Sequence, residues 1–94
     1  DGAGGKSVLP TMWPLLSDFV AESIVVSLEE IITAMRDTAR QAHIIAEGAA
    51  ACAVAAALTD KAGDGPIVAI VSGGNIDLEL FTEILKNNNL TKAD

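Results

Sequence analysis

The sequence predicts an α/β fold, a partial parallel sheet with covering helices, on three observations. First, short β-branched runs alternate with stretches of helical periodicity, the pattern of strands paired in parallel through helices. Second, one helical stretch, residues 48–58, is apolar on every face and so requires cover on every face. Third, half of the 94 residues are hydrophobic and only 3% are aromatic. Small aliphatic residues at that density suit tight helix-on-sheet layers.

Residues 1–10 are glycine-rich and read as a loop, 11–86 as the α/β unit, and 87–94 as a tail. Thr11 caps a short helix running to about Val20, with Pro14 in the first turn, where proline is tolerated. Ser23-Ile24-Val25-Val26 reads as a strand. Ser27 opens the next helix, and Glu30, three residues on, completes a capping box. Leu28, Ile31, Ile32, Met35, Ala39 and Ala42 recur there at helical spacing, while Glu29, Arg36, Asp37 and Arg40 fall elsewhere. Beyond the alanine-rich helix, 60–66 is a turn-rich loop. Ile67-Val68-Ala69-Ile70-Val71 then has the composition of a buried strand. Ser72-Gly73-Gly74-Asn75 follows, and Asp77 caps a last helix to about Lys86. Two strands make a marginal sheet, so the chain reads as part of a larger domain.

The formal charge of −7 leaves no basic stripe for nucleic acid and disfavours an anionic membrane surface. No apolar run is long enough to span a membrane. The single cysteine, Cys52, fits a reducing, cytoplasmic setting and a small core position. An opening at Asp1 without methionine is expected of a processed or truncated product. Gly4-Gly5-Lys6-Ser7 imitates the end of a phosphate-binding loop, but the motif's first glycine and preceding strand are missing, and Pro10 and Pro14 oppose the helix it needs. It is a coincidence of a glycine-rich loop. His43 reads as a helix cap or structural histidine, and Trp13 as a packing residue.

A strand ending in Ser-Gly-Gly-Asn before a helix has the layout of a ligand site, since open α/β sheets bind ligands beyond the carboxyl ends of their strands. Glycines admit close backbone approach, and Ser72 offers a neutral hydroxyl. The same residues also fit a glycine turn in which Ser72 and Asn75 satisfy local backbone.

Asp1-Gly2, Trp13-Pro14, Ser27-Leu28-Glu29-Glu30-Ile31, Ala46-Glu47-Gly48-Ala49 and Ser72-Gly73-Gly74-Asn75-Ile76-Asp77 together resemble the serine/threonine dehydratase and serine racemase branch of the pyridoxal-phosphate (PLP) enzymes of fold-type II. The resemblance extends to about Lys86, and Ser-Gly-Gly-Asn-x-Asp is its most specific part. It implies the C-terminal portion of a larger fold-type II domain and PLP as cofactor. Ser72 is then the partner of the pyridine nitrogen, Gly73 and Gly74 give the ring room, and Asn75 stabilises the turn. Glu47 lies near the cofactor, or is simply a carboxylate favoured by a helix N-terminus. Gly2 belongs to a loop facing the site. No catalytic residue is expected in this chain: the family's Ser-x-Lys-x-Arg-Gly type motif with its Schiff-base lysine, its phosphate-cradling glycine run and the racemase metal ligands have no counterpart here.

The implied activity is conversion of L-threonine or L-serine to a 2-oxo acid and ammonia. Its partners are the upstream portion of the same enzyme, as the same or a separate polypeptide, and a small amino-acid substrate, with homo-oligomerisation of the complete enzyme. A serine racemase-like segment and a non-catalytic interaction module are the rival readings. Gly48 after Glu47, where the racemase tends to have proline, favours the dehydratases.

Overall fold

A computed structural model describes residues 3, 5 and 7–86 of the chain. The sequence-predicted tail at 87–94 lies outside the described residues. Among the described residues four helices follow one another: α1 (Trp13–Phe19), α2 (Leu28–Ala42), α3 (Gly48–Ala57) and α4 (Leu78–Lys86), with a 3-10 turn at Asp60–Ala62 after α3.

The expected parallel sheet is corrected by this architecture. Among the described residues there is no strand. The runs at 23–26 and 67–71 make no backbone hydrogen bond to another described segment, so neither belongs to a ladder there. The reason is physical. β-Branched side chains favour extended backbone, but a strand exists only where a neighbour supplies N–H and C=O groups at ladder spacing. Val68 is 89% exposed, which also overturns the expectation of a buried run.

Helix α2 organises the rest. Its start is the capping box read from the sequence: the Ser27 hydroxyl accepts from Glu30 N–H at 3.0 Å, and Glu30 Oε1 accepts from Ser27 N–H at 2.8 Å. Its stop is His43, in the left-handed region (φ 58°, ψ 38°), whose N–H returns to the Ala39 carbonyl at 3.1 Å. The sequence-based capping role for His43 therefore holds. Between these ends Ile32, Ala34, Met35 and Thr38 are buried. Helix α3 packs along α2 through Ala50, Ala51 and Ala55, and α4 packs on α2 through Phe81 and Ile84. The alanines let the α2 and α3 backbones come close, a contact that larger side chains would hold apart.

Helix α1 departs from expectation twice. Met12, not Thr11, is the N-cap, and no side chain caps the helix. None of its residues is buried; Trp13 is 59% exposed, so the packing role assigned to it is not seen among the described residues. Pro14 does sit in the first turn, where its missing N–H is harmless.

The radius of gyration is 14.4 Å, against about 12 Å for a compact chain of this length. Large apolar side chains on α1, on 67–71 and on the outer face of α4 face outward. Expressed alone, residues 1–94 should therefore bind a hydrophobic dye such as ANS and give poorly dispersed amide NMR signals. A dispersed spectrum with a cooperative melt and no dye binding would contradict this.

A second prediction concerns pH. The bond from the Ser27 backbone N–H, and after it the Ser27 hydroxyl, holds the Glu30 carboxyl below its ordinary value of 4.5. A folded-state pKa depressed in this way contributes stability above 4.5 and loses it as pH falls through the lowered value. In the enzyme carrying this segment, Glu30→Gln should remove this part of the acid sensitivity, read as a smaller fall in melting temperature between pH 5 and pH 3. Equal falls in both proteins would count against the box as a pH-sensitive element.

Candidate functional site

The site is built where the start of α3 meets the turn before α4. Glu47 is the N-cap of α3, in extended backbone, yet its side chain caps nothing in its own helix. Glutamate is one methylene too long for the usual cap, in which a short side chain accepts from N2 or N3. The carboxylate reaches across the fold instead, where Oε1 accepts from Asn75 N–H at 3.2 Å. In the other direction Glu47 N–H donates to the Gly73 carbonyl at 3.1 Å. One residue thus grips the turn twice, by backbone and by side chain. Inside the turn Ile76 N–H donates to the Gly74 carbonyl at 3.0 Å. Asp77 Oδ1 accepts from Glu79 N–H at 2.9 Å, the cap of α4 anticipated in the sequence.

The glycines are what permit this closeness. A Cβ on Gly73 would stand 2.6 Å from Glu47 Oε1, and one on Gly74 would collide with the Ile45 carbonyl oxygen. Their side-chain directions are filled by the 45–47 segment, so among the described residues the space they save goes to Ile45 and Glu47. Ser72 is exposed, and its hydroxyl has no hydrogen-bond partner among the described residues. Local backbone satisfaction, the alternative role for Ser72, is not seen. Asn75 is exposed too and joins the site through its main chain.

Of the six positions singled out in the sequence, five (Ser72, Gly73, Gly74, Asn75 and Glu47) come together here, and Gly2 lies outside the described residues. Alongside runs a groove of about 330 Å³ between α2 and α4, apolar along Ile31, Met35 and Leu80 and ending at Glu47, Asn75 and Asp77. Sequence reasoning did not find it, because it depends on how two helices pack. Cys52 is half-buried in α3, its thiol donating to the Gly48 carbonyl at 3.4 Å. Among the described residues no group of histidine, cysteine or acidic side chains could hold a metal, and no helix is long and apolar enough to cross a membrane.

The family model for pyridoxal-phosphate dependent enzymes matches residues 1–73, and the chain belongs to that family, whose cofactor is PLP. Within it, the chain is 37% identical over 92 residues to the catabolic L-threonine dehydratase TdcB of Staphylococcus aureus strain USA300, covering 93% of this chain and 27% of that protein. It is 39% identical over 94 residues to the L-threonine ammonia-lyase of Thermotoga maritima, covering 99% of this chain and 23% of that one. The chain thus spans about a quarter of the length of these relatives. No solved structure gives a significant match.

Gly74→Ala should displace the turn, because a backbone carbonyl blocks the methyl group. Gly73→Ala meets only the tip of a flexible carboxylate. In the enzyme carrying this segment, Gly74→Ala is therefore expected to lower the melting temperature more, with a difference of about 1–2 kcal/mol. Equal losses would mean that the turn is not seated on Ile45.

Proposed function

We propose that this chain supplies the pyridine side of the cofactor site in a PLP-dependent ammonia-lyase that converts L-threonine or L-serine to a 2-oxo acid and ammonia. The observation that carries the reading is the double grip of Glu47 on the turn that bears Ser72, whose hydroxyl has no partner among the described residues. The L-threonine named in the two relatives supports the substrate class.

When bound, PLP supplies an electron sink for charge developing at the substrate Cα. The chain's own residues do the rest on this side. Ser72 Oγ would donate a hydrogen bond to the ring nitrogen, as a neutral partner. A carboxylate in its place would hold that nitrogen protonated, whereas a hydroxyl leaves it closer to neutral. A moderate sink suits loss of the β-hydroxyl soon after the α-proton. Glu47 acts on the turn, fixing Gly73 and Asn75 so that Ser72 is presented at one height. The cofactor-anchoring lysine and the phosphate cradle belong to the remainder of the enzyme, an upstream portion on the same or a separate polypeptide. In this reading residues 1–94 are the C-terminal segment of the PLP-binding domain of a cytoplasmic, homo-oligomeric enzyme.

Two variants of the holoenzyme test the role of Ser72. Ser72→Ala leaves a buried ring nitrogen unpaired, which should weaken PLP binding by about 1–3 kcal/mol while the cofactor still attaches elsewhere. Ser72→Asp should raise α-proton exchange relative to keto-acid formation. PLP affinity, keto acid and α-deuterium exchange, measured on both, report the result. Unchanged affinity and unchanged partition would remove Ser72 from the site.

A further inference from the structure

Two arginines of α2 reach across to the far end of α4. Arg36 Nε donates to the Ile84 carbonyl at 2.8 Å, and an Arg40 terminal nitrogen donates to the Leu85 carbonyl at 2.8 Å. The donors stand at i and i+4 on one face of α2, and the acceptors are consecutive carbonyls in the last turn of α4. Cations there also suit the negative end of the helix dipole. Apolar packing accompanies them: Phe81 and Ile84 are buried in the core with Ile32 and Met35. Apolar contact is non-directional and resists sliding along a helix axis poorly. Hydrogen bonds to two successive carbonyls resist both sliding and rotation.

What such sliding would move is the site. Helix α4 begins at Leu78, directly after the turn that Glu47 holds, and nine helical residues carry a displacement of one end to the other as a rod about 13 Å long. Upstream, among the described residues, 67–71 makes no backbone hydrogen bond, and Val71 holds to the core by apolar contact alone.

We propose that Arg36 and Arg40 are positioning residues that set the axial register of α4, and with it the height at which Ser72 to Asn75 stands against Glu47. As a device for cofactor binding this rests on the reading of Ser72 given above; as a device for holding the turn it does not.

The test uses the PLP-bound enzyme with Arg40→Ala and Arg40→Lys. Arg40 is exposed, so its removal leaves the core intact, whereas part-buried Arg36 is the riskier site. Hydrogen–deuterium exchange is followed for the peptide covering 72–80 and, as internal control, for peptides of α2 and α3, together with PLP affinity. In Arg40→Ala we expect exchange at 72–80 to quicken about three- to tenfold, with α2 and α3 unchanged and PLP held more weakly. Arg40→Lys should restore part of the protection. Quickened exchange at 72–80 with unchanged PLP affinity would support the register role and sink the assignment of the turn to the cofactor. Unchanged exchange at 72–80, or an equal rise across α2, α3 and α4, would overturn the positioning role.

Discussion

The candidate site depends on two hydrogen bonds, both made by Glu47, across a sequence separation of 26 to 28 residues. Neither is deeply buried, and each is worth about 1 kcal/mol in net terms. Their effect comes from geometry. A backbone N–H at 47 fixes Gly73, a carboxylate at 47 fixes Asn75, and the residue between them can then sit only on Ile45. That seat exists because two successive residues lack Cβ atoms. Hydrogen bonds hold the turn where apolar burial is scarce, and the glycines bring the partners within bonding distance.

Helix α2 is the frame on which this junction is mounted. It buries one face against α3, whose first residue follows Glu47, and another against α4, whose first residue follows the turn. Both sides of the site are therefore referred to one rigid body of 15 residues closed at each end, by the Ser27–Glu30 box and by the left-handed His43. A non-glycine residue in that conformation costs about 1–2 kcal/mol. Its presence ends α2 abruptly enough for Ala46 to return to the core three residues later.

Local features of this architecture were legible in the sequence, and non-local ones were not. Ser27 with Glu30, Asp77 before α4, and the alanine helix beginning at Gly48 are each decided within four residues of chain, and each is present. Residues 23–26 and 67–71 carry the side chains of strands, but a ladder is a relation between two segments, and none forms among the described residues. The five site positions that came together were legible by resemblance; that Glu47 grips Gly73 and Asn75 was not. The signal for it was weak but physical: glutamate is a poor N-cap, so its carboxylate is free for another donor. Arg36 and Arg40 were read only as lying off the apolar stripe of α2. Their spacing of four, on a helix with a partner at its side, is the trace of the clasp on α4.

The segment leading into the turn touches the core through Val71, while its other large side chains face outward. Ile70 is 74% exposed and Val68 more so, and burial of that kind cannot fix a backbone. The turn is anchored laterally by Glu47, longitudinally by α4, and by Val71 and Ile76 packed against the core. Hydrophobic packing sets how close two helices lie but leaves their axial register soft, so directional contacts define that register. Directional contacts stand at the Glu47 end of the turn and at the arginine end of α4, with apolar packing between them.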